Sequence, residues 1–251
     1  MLTRKIQLQD SMFLIATFAL PLVWMMSLSK ITQNPIYHNF ADKSTILGIP
    51  HFFDVVTNIF FLVVGVLGLQ EHQKNNFRPS KLALIIGVLL VAPGSAYYHL
   101  MPNNERLLWD RLPMVIGFCS LTTWLLVEYF KIQKEKLLLL ILNLIGLSSL
   151  AVWVSTDDLR FYYWVQLSPV LLLLYMAIFK RTMFKNANLV FGAFAFYVGA
   201  KLTETYDIQI FNELGFSGHS IKHILAAIAV YFLIKLEINK SLTTSQTPLK
   251  S

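Results

Sequence analysis

Five residues have types and spacings that could perform metal chemistry. His219 and His223 are four apart, as are Ser95 and His99, and on a helix each pair shares one face. Two imidazoles so placed can hold one divalent ion, and His99 would complete a three-nitrogen set with a fourth tetrahedral position open for water. Zinc suits such a set, because it favours neutral imidazole and lowers the pKa of bound water to roughly 7. Asp110 is then placed to take the water proton and return it to a leaving group. Ser95, one turn before His99, could donate a hydrogen bond to an oxyanion or to the water. Asp54 and Asn58, again at i, i+4, read either as groups orienting a ligand imidazole or as plain helix-start and interhelix hydrogen bonds.

Other polar residues have blander readings. Lys222 is expected to point away from the two histidines and snorkel to the membrane interface. Glu204, Asp207 and Glu213 are expected to form a solvated acidic loop. Tyr97, Tyr98, Trp109, Tyr162, Tyr163 and Trp164 suggest an aromatic belt. Pro93-Gly94 would bend the helix that carries Ser95 and His99. Cys119, the single cysteine, lies in an apolar run and reads as packing, which excludes an intramolecular disulfide and a cysteine metal site.

The elements that position these residues are membrane helices. A chain of 251 residues that is 55% hydrophobic with mean hydropathy +0.56 is too apolar for a soluble domain. Its net charge of +7 does not imply nucleic acid, because the basic residues fall in short clusters between apolar runs. Spans need roughly 20 apolar residues, and eight candidates occur: 11–28, 52–69, 82–100, 107–130, 137–154, 161–179, 183–202 and 219–236. The first follows Arg4 and Lys5 like a signal peptide, but its apolar part is long enough to remain a helix. The seventh is the weakest, with Lys201 near its end.

Alternate connections then separate by charge. One side collects 14 of the 21 Lys and Arg residues, which makes it the cytoplasmic side, with both termini there. The other side receives Ser95, His99, Asp110, His219 and His223 at helix ends, so the candidate site faces outward. Residues 1–51 read as an N-terminal helix and outer loop, 52–240 as a seven-helix core, and 241–251 as a disordered polar tail. The expected fold is an all-α polytopic membrane helix bundle. Its oligomeric state is not legible.

Ser95-x3-His99, Asp110-Arg-Leu-Pro-Met114, His219-x3-His223 and Asp54-Val-Val-Thr-Asn58 together resemble the alkaline ceramidase family, within the superfamily that also contains adiponectin-type receptors. The resemblance covers residues 52–236 and implies a seven-helix membrane hydrolase. Zinc would sit on His99, His219 and His223, with Asp110 and Ser95 at the active site and ceramide or a related N-acyl lipid as substrate. The extra helix before the seven resembles the bacterial branch, which implies the cytoplasmic membrane. The eukaryotic members carry an acidic Asp-Trp-x-Glu-x-Asn calcium segment and a Glu seven places before the helix Asn. Here the segment is missing and that place is His51, so a calcium requirement does not carry over. A receptor-like protein with a structural zinc is the alternative, and a transporter is disfavoured because the inner halves of the relevant helices carry few polar groups.

Overall fold

A bilayer interior offers no water to backbone N–H and C=O groups, so long apolar runs fold as helices that satisfy those groups internally. The computed structural model describes residues 8–239, and the elements in it are α1 (Asp10–Ser27), α2 (Phe52–Asn75), α3 (Pro79–Leu100), α4 (Asn104–Phe130), α5 (Glu135–Thr156), α6 (Arg160–Phe179), α7 (Asn188–Thr205), α8 (Asp207–Leu214) and α9 (Gly218–Lys235). The chain is an all-α polytopic bundle, and a two-stranded hairpin, Thr45–Ile46 with Ile49–Pro50, is the only sheet among the described residues. Helices occur in all eight apolar runs. Six of them, α1 to α6, are long and apolar enough to cross a membrane, or seven if α8 and α9, bent by 107°, form one broken span. The remaining helix, α7, has the length but carries Lys201 and Glu204 in its last turns. It begins at Asn188, because the predicted start near Met183 is a short 3-10 turn, Arg181–Met183. The polar tail and the basic residues Arg4, Lys5, Lys240 and Lys250 lie outside the described residues.

Of two helices near the site, α2 and α3, one is broken and the other is not. In α2 the helix breaks at Thr57 and Asn58, and the Asn58 amide repairs the break by donating to the Asp54 and Val55 carbonyls at 2.8 and 3.3 Å. By contrast α3 runs unbroken through Pro93, so the expected opening of its backbone is not found. Gly94 serves close approach instead: a Cβ there would collide with the Trp109 carbonyl of α4. This tight crossing sets Ser95 against Asp110. Gly94→Val is therefore expected to force α3 and α4 apart and destabilise the fold by about 1–3 kcal/mol, checked by thermal unfolding in detergent.

The bundle has two polar ends of different character. At one end α2, α3, α4, α5 and α9 are joined by charges: Lys235 to Glu71 at 3.0 Å, Arg78 to Glu128 and Glu135 at 2.8 and 3.1 Å, and Lys81 to the Leu236 carbonyl at 2.8 Å. These are the clusters that the charge pattern assigned to one side. At the other end, residues 28–50 form a strap that closes over the helix termini. Gln33 bridges the buried Arg111 at 2.6 Å and Asp157 at 3.0 Å, and the Arg111 guanidinium also packs on Trp153 and Tyr162. His38 meets Tyr98 at 2.8 Å and Asn104 at 2.9 Å. Asp158 beside the strap is held below the usual carboxylate range by its hydrogen bonds from Arg160, which also grips the end of α1 through the Met26 and Leu28 carbonyls.

Candidate metal centre

The last helix is started by polar side chains. Gly215 takes the left-handed conformation (φ 67°) that ends α8, and Ser217 then caps α9 by accepting from the His219 and Ser220 amides. Two carboxylates favour the positive helix end. Asp207 accepts from the His219 amide at 2.9 Å, while Asp54 takes the Ser220 hydroxyl at 2.6 Å. The Ser217 hydroxyl lies between them, 2.8 Å from Asp207 and 3.0 Å from Asp54. The first turn of α9, and with it His219 and His223, is thereby fixed to α2 and α8.

His99 arrives from the end of α3. Its ring centre lies 4.8 Å from that of His219 and 5.0 Å from that of His223, and the latter two are 4.8 Å apart. One nitrogen from each of the three lies within 4.8 Å of the others, a group that could hold a metal ion, and all three rings are buried. Buried polar atoms without partners cost roughly 1–3 kcal/mol each, yet neither His99 nitrogen nor His223 Nε2 has a protein partner. A shared cation would take one nitrogen of His99 together with His223 Nε2, and leaves the second His99 nitrogen without a partner.

The tautomer of His223 can be derived. The Thr57 hydroxyl donates to the Phe53 carbonyl at 2.7 Å, so its oxygen must accept from His223 Nδ1 at 2.9 Å. The proton is thus on Nδ1 and the Nε2 lone pair is free, the state a metal requires. Neither Asp54 nor Asn58 hydrogen-bonds a histidine ring. The residue between them in the α2 break, Thr57, was not singled out from sequence, since a threonine in a helix commonly satisfies only its own backbone. Thr57→Val is expected to weaken metal affinity about 10–100-fold with the fold retained, measured by competition with a chromogenic chelator.

Asp110 and Ser95 interact side chain to side chain, and both are buried. They line one cavity of about 180 Å³ together with His223 and Lys222. From that polar end the cavity runs between α3, α4, α6, α7 and α9 as far as Leu84, Leu121 and Leu233, roughly 15 Å at 1.5 Å per residue. Its remaining wall is almost wholly apolar, and Phe194, which is 39% exposed, is one of its lining residues. The opposite side of the triad is covered by the strap: the Phe40 ring packs on His99 at 4.6 Å and His219 at 4.4 Å. Asp207 holds the Ala41 amide at 2.8 Å, and Asp42 holds the Phe53 and Asp54 amides at 2.8 and 3.2 Å.

Several expectations need correction. Lys222 does not snorkel; it points inward, 3.3 Å from His219 Nε2 and 3.0 Å from Glu204. At i+3 from His219 it stays close to that face of the helix. Glu204 belongs to α7 and is paired with Lys201 and Lys222, and Asp207 is buried; of the acidic group, Glu213 is the exposed member. Tyr98 and Tyr162 are buried, whereas Trp109 and Tyr97 stay exposed as a belt requires. Neither Tyr97 nor Trp109 lines the cavity; Tyr197 does. Cys119 is packed against Gly146, as expected.

The family comparison agrees with this geometry. A family model described as Ceramidase matches residues 48–249, a stretch that begins just before α2, leaves out α1 and includes the histidine triad, Ser95 and Asp110. Membrane helices, a buried histidine triad with one member on an apolar cavity and a match over most of the sequence lead to one conclusion: the chain belongs to the ceramidase family.

Proposed function

We propose that the chain is a zinc-dependent hydrolase that cleaves the amide of ceramide or a related N-acyl lipid taken from the bilayer. Membership of the ceramidase family supplies the reaction class, an amide hydrolysis in a membrane. The observation that carries the finer reading is a buried group of three imidazoles, one of which, His223, lines the polar end of an apolar cavity together with Asp110 and Ser95. A divalent ion on that triad supplies Lewis acidity and a nucleophile at neutral pH. The remaining work falls to the chain. The apolar length of the cavity takes the acyl chain and sets the amide carbonyl beside His223. Asp110 accepts the proton of the attacking water and delivers it to the departing nitrogen. Ser95 donates to the oxyanion that develops on the acyl carbon. The Phe40 strap keeps bulk water from the triad, so its charges act in a medium of low dielectric.

Orientation follows from the two polar ends. Basic residues clustered at one end support, by the positive-inside rule, a reading with that end inside, both termini in the cytoplasm and the triad toward the outer face of a bacterial cytoplasmic membrane. The deciding experiment incubates purified protein with a panel of N-acyl lipids, with and without chelator. Fatty acid release that chelation abolishes supports the proposal, and no release from any member overturns it.

A further inference from the structure

Lys222 is the polar feature of the cavity that this mechanism leaves without a task. It lines the same end as Ser95, Asp110 and His223. Its side chain is 16% exposed, and its Nζ lies 3.0 Å from one oxygen of Glu204, whose other oxygen lies 2.8 Å from Lys201 Nζ. Glu204 lies between the two ammonium groups, and Asp110 is the other carboxylate on this end of the cavity, so the charges balance; Lys222 sits where the cavity wall changes from apolar to polar. Charge at such a position is costly in a membrane protein and marks a functional candidate. An ammonium has three donors. Glu204 occupies one, and His219 Nε2 engages a second only while its lone pair is not given to a metal. At least one N–H therefore remains to meet a ligand in the cavity. In a partly enclosed, low-dielectric cleft such an N–H donates to an anion more strongly than a surface lysine would.

The direction of the charge indicates which part of a substrate it meets. The acyl chain occupies the apolar length, away from the triad. Lys222 and the half-exposed Lys201 lie on the polar side, along the path to water that the amine-side fragment must take. We propose that Lys222, backed by Glu204 and Lys201, is a head-group site for a carboxylate on the amine side of the scissile bond, so that the chain accepts long-chain N-acyl amino acids. The inference rests on the hydrolase reading above and names a substrate class for it. The chemistry balances without a further reactant: the hydroxyl of water bonds to the acyl carbon, the C–N bond breaks, the water proton ends on nitrogen, and a fatty acid and an amino acid leave.

The test compares N-palmitoylglycine with its methyl ester, which has the same chain and no charge. Equilibrium binding to chelator-treated full-length protein is measured first, and hydrolysis by metal-loaded protein second. The acid is expected to bind about tenfold tighter than the ester, as one charge-assisted hydrogen bond allows. Lys222→Met should bring the two to near equality, and Lys222→Arg should restore the preference. Glu204→Gln, which removes the carboxylate from between the two lysines, should increase it, and this variant carries the test if Lys222→Met does not fold. Equal binding by the wild type, a preference that survives Lys222→Met, or one unmoved by Glu204→Gln overturns the inference. Cleavage of ceramide with neither binding nor cleavage of N-palmitoylglycine removes this inference and leaves the hydrolase standing. Lys222-dependent binding with no amide cleaved removes the hydrolase and leaves the anion site.

Discussion

Alanine at His99 is expected to yield a purified protein that holds almost no metal, against one ion per chain in the wild type, and that cleaves N-acyl lipid about a thousandfold or more slowly. The argument is one of ligand count. His219 and His223 share one helix face and can by themselves offer only two nitrogens; His99 is the third, and it comes from a different helix. Losing one of three imidazoles leaves a site that competes poorly with water and buffer. Metal per chain measured by mass spectrometry is the first readout. The second is thermal: an ion that binds only the folded state stabilises it, so chelation should lower the melting temperature of the wild type and leave that of His99→Ala unmoved. A variant that retained one tightly held ion would show that the triad is not the metal centre.

Asp110→Asn should separate binding from chemistry. Asparagine keeps the size of the side chain and a partner for Ser95 but cannot take up a proton. Metal content is expected to stay near one per chain while turnover falls about 10²–10⁴-fold, the usual worth of a general acid–base. If Asp110 only shaped the turn between α3 and α4, the loss would be small. A receptor-like protein with a structural ion would instead have no turnover to lose, even in the wild type. The pair of variants therefore tests the two halves of the mechanism independently, one by metal content and the other by rate at constant metal.

Much of this arrangement was legible before any coordinates. The apolar runs located every long helix, because in a membrane the backbone leaves little alternative. The histidine triad was legible because helical spacing and helix-end placement put three imidazoles at one level. Around the triad, sequence reasoning was weaker. Lys222 was set aside as a snorkelling residue, although its i+3 relation to His219 keeps it near that face, and its partner Glu204 lies on another helix. Glu204 itself was taken for a loop residue, because the charges of α7 obscure where that helix ends. Thr57 gave no signal beyond its position next to Asn58, since what it does depends on a contact with a residue 166 positions away. The strap has neither periodicity nor strong apolarity. Its role comes from single polar anchors such as Gln33, Asp42 and Asp207, and from one ring, Phe40, none of which forms a recognisable spacing.

The strap also bears on how the protein is made. Phe40, Gln33 and Asp42 leave the ribosome long before the triad exists, because Asp207 and the two histidines of α9 come far later in the sequence. The cover is therefore waiting when α9 docks, and the ion has its widest route inward in that interval. Once Asp207 and Asp42 have fastened the segment down, later exchange with free metal has to wait for those fastenings to open. Chains assembled during metal starvation should consequently recover slowly when the ion is returned.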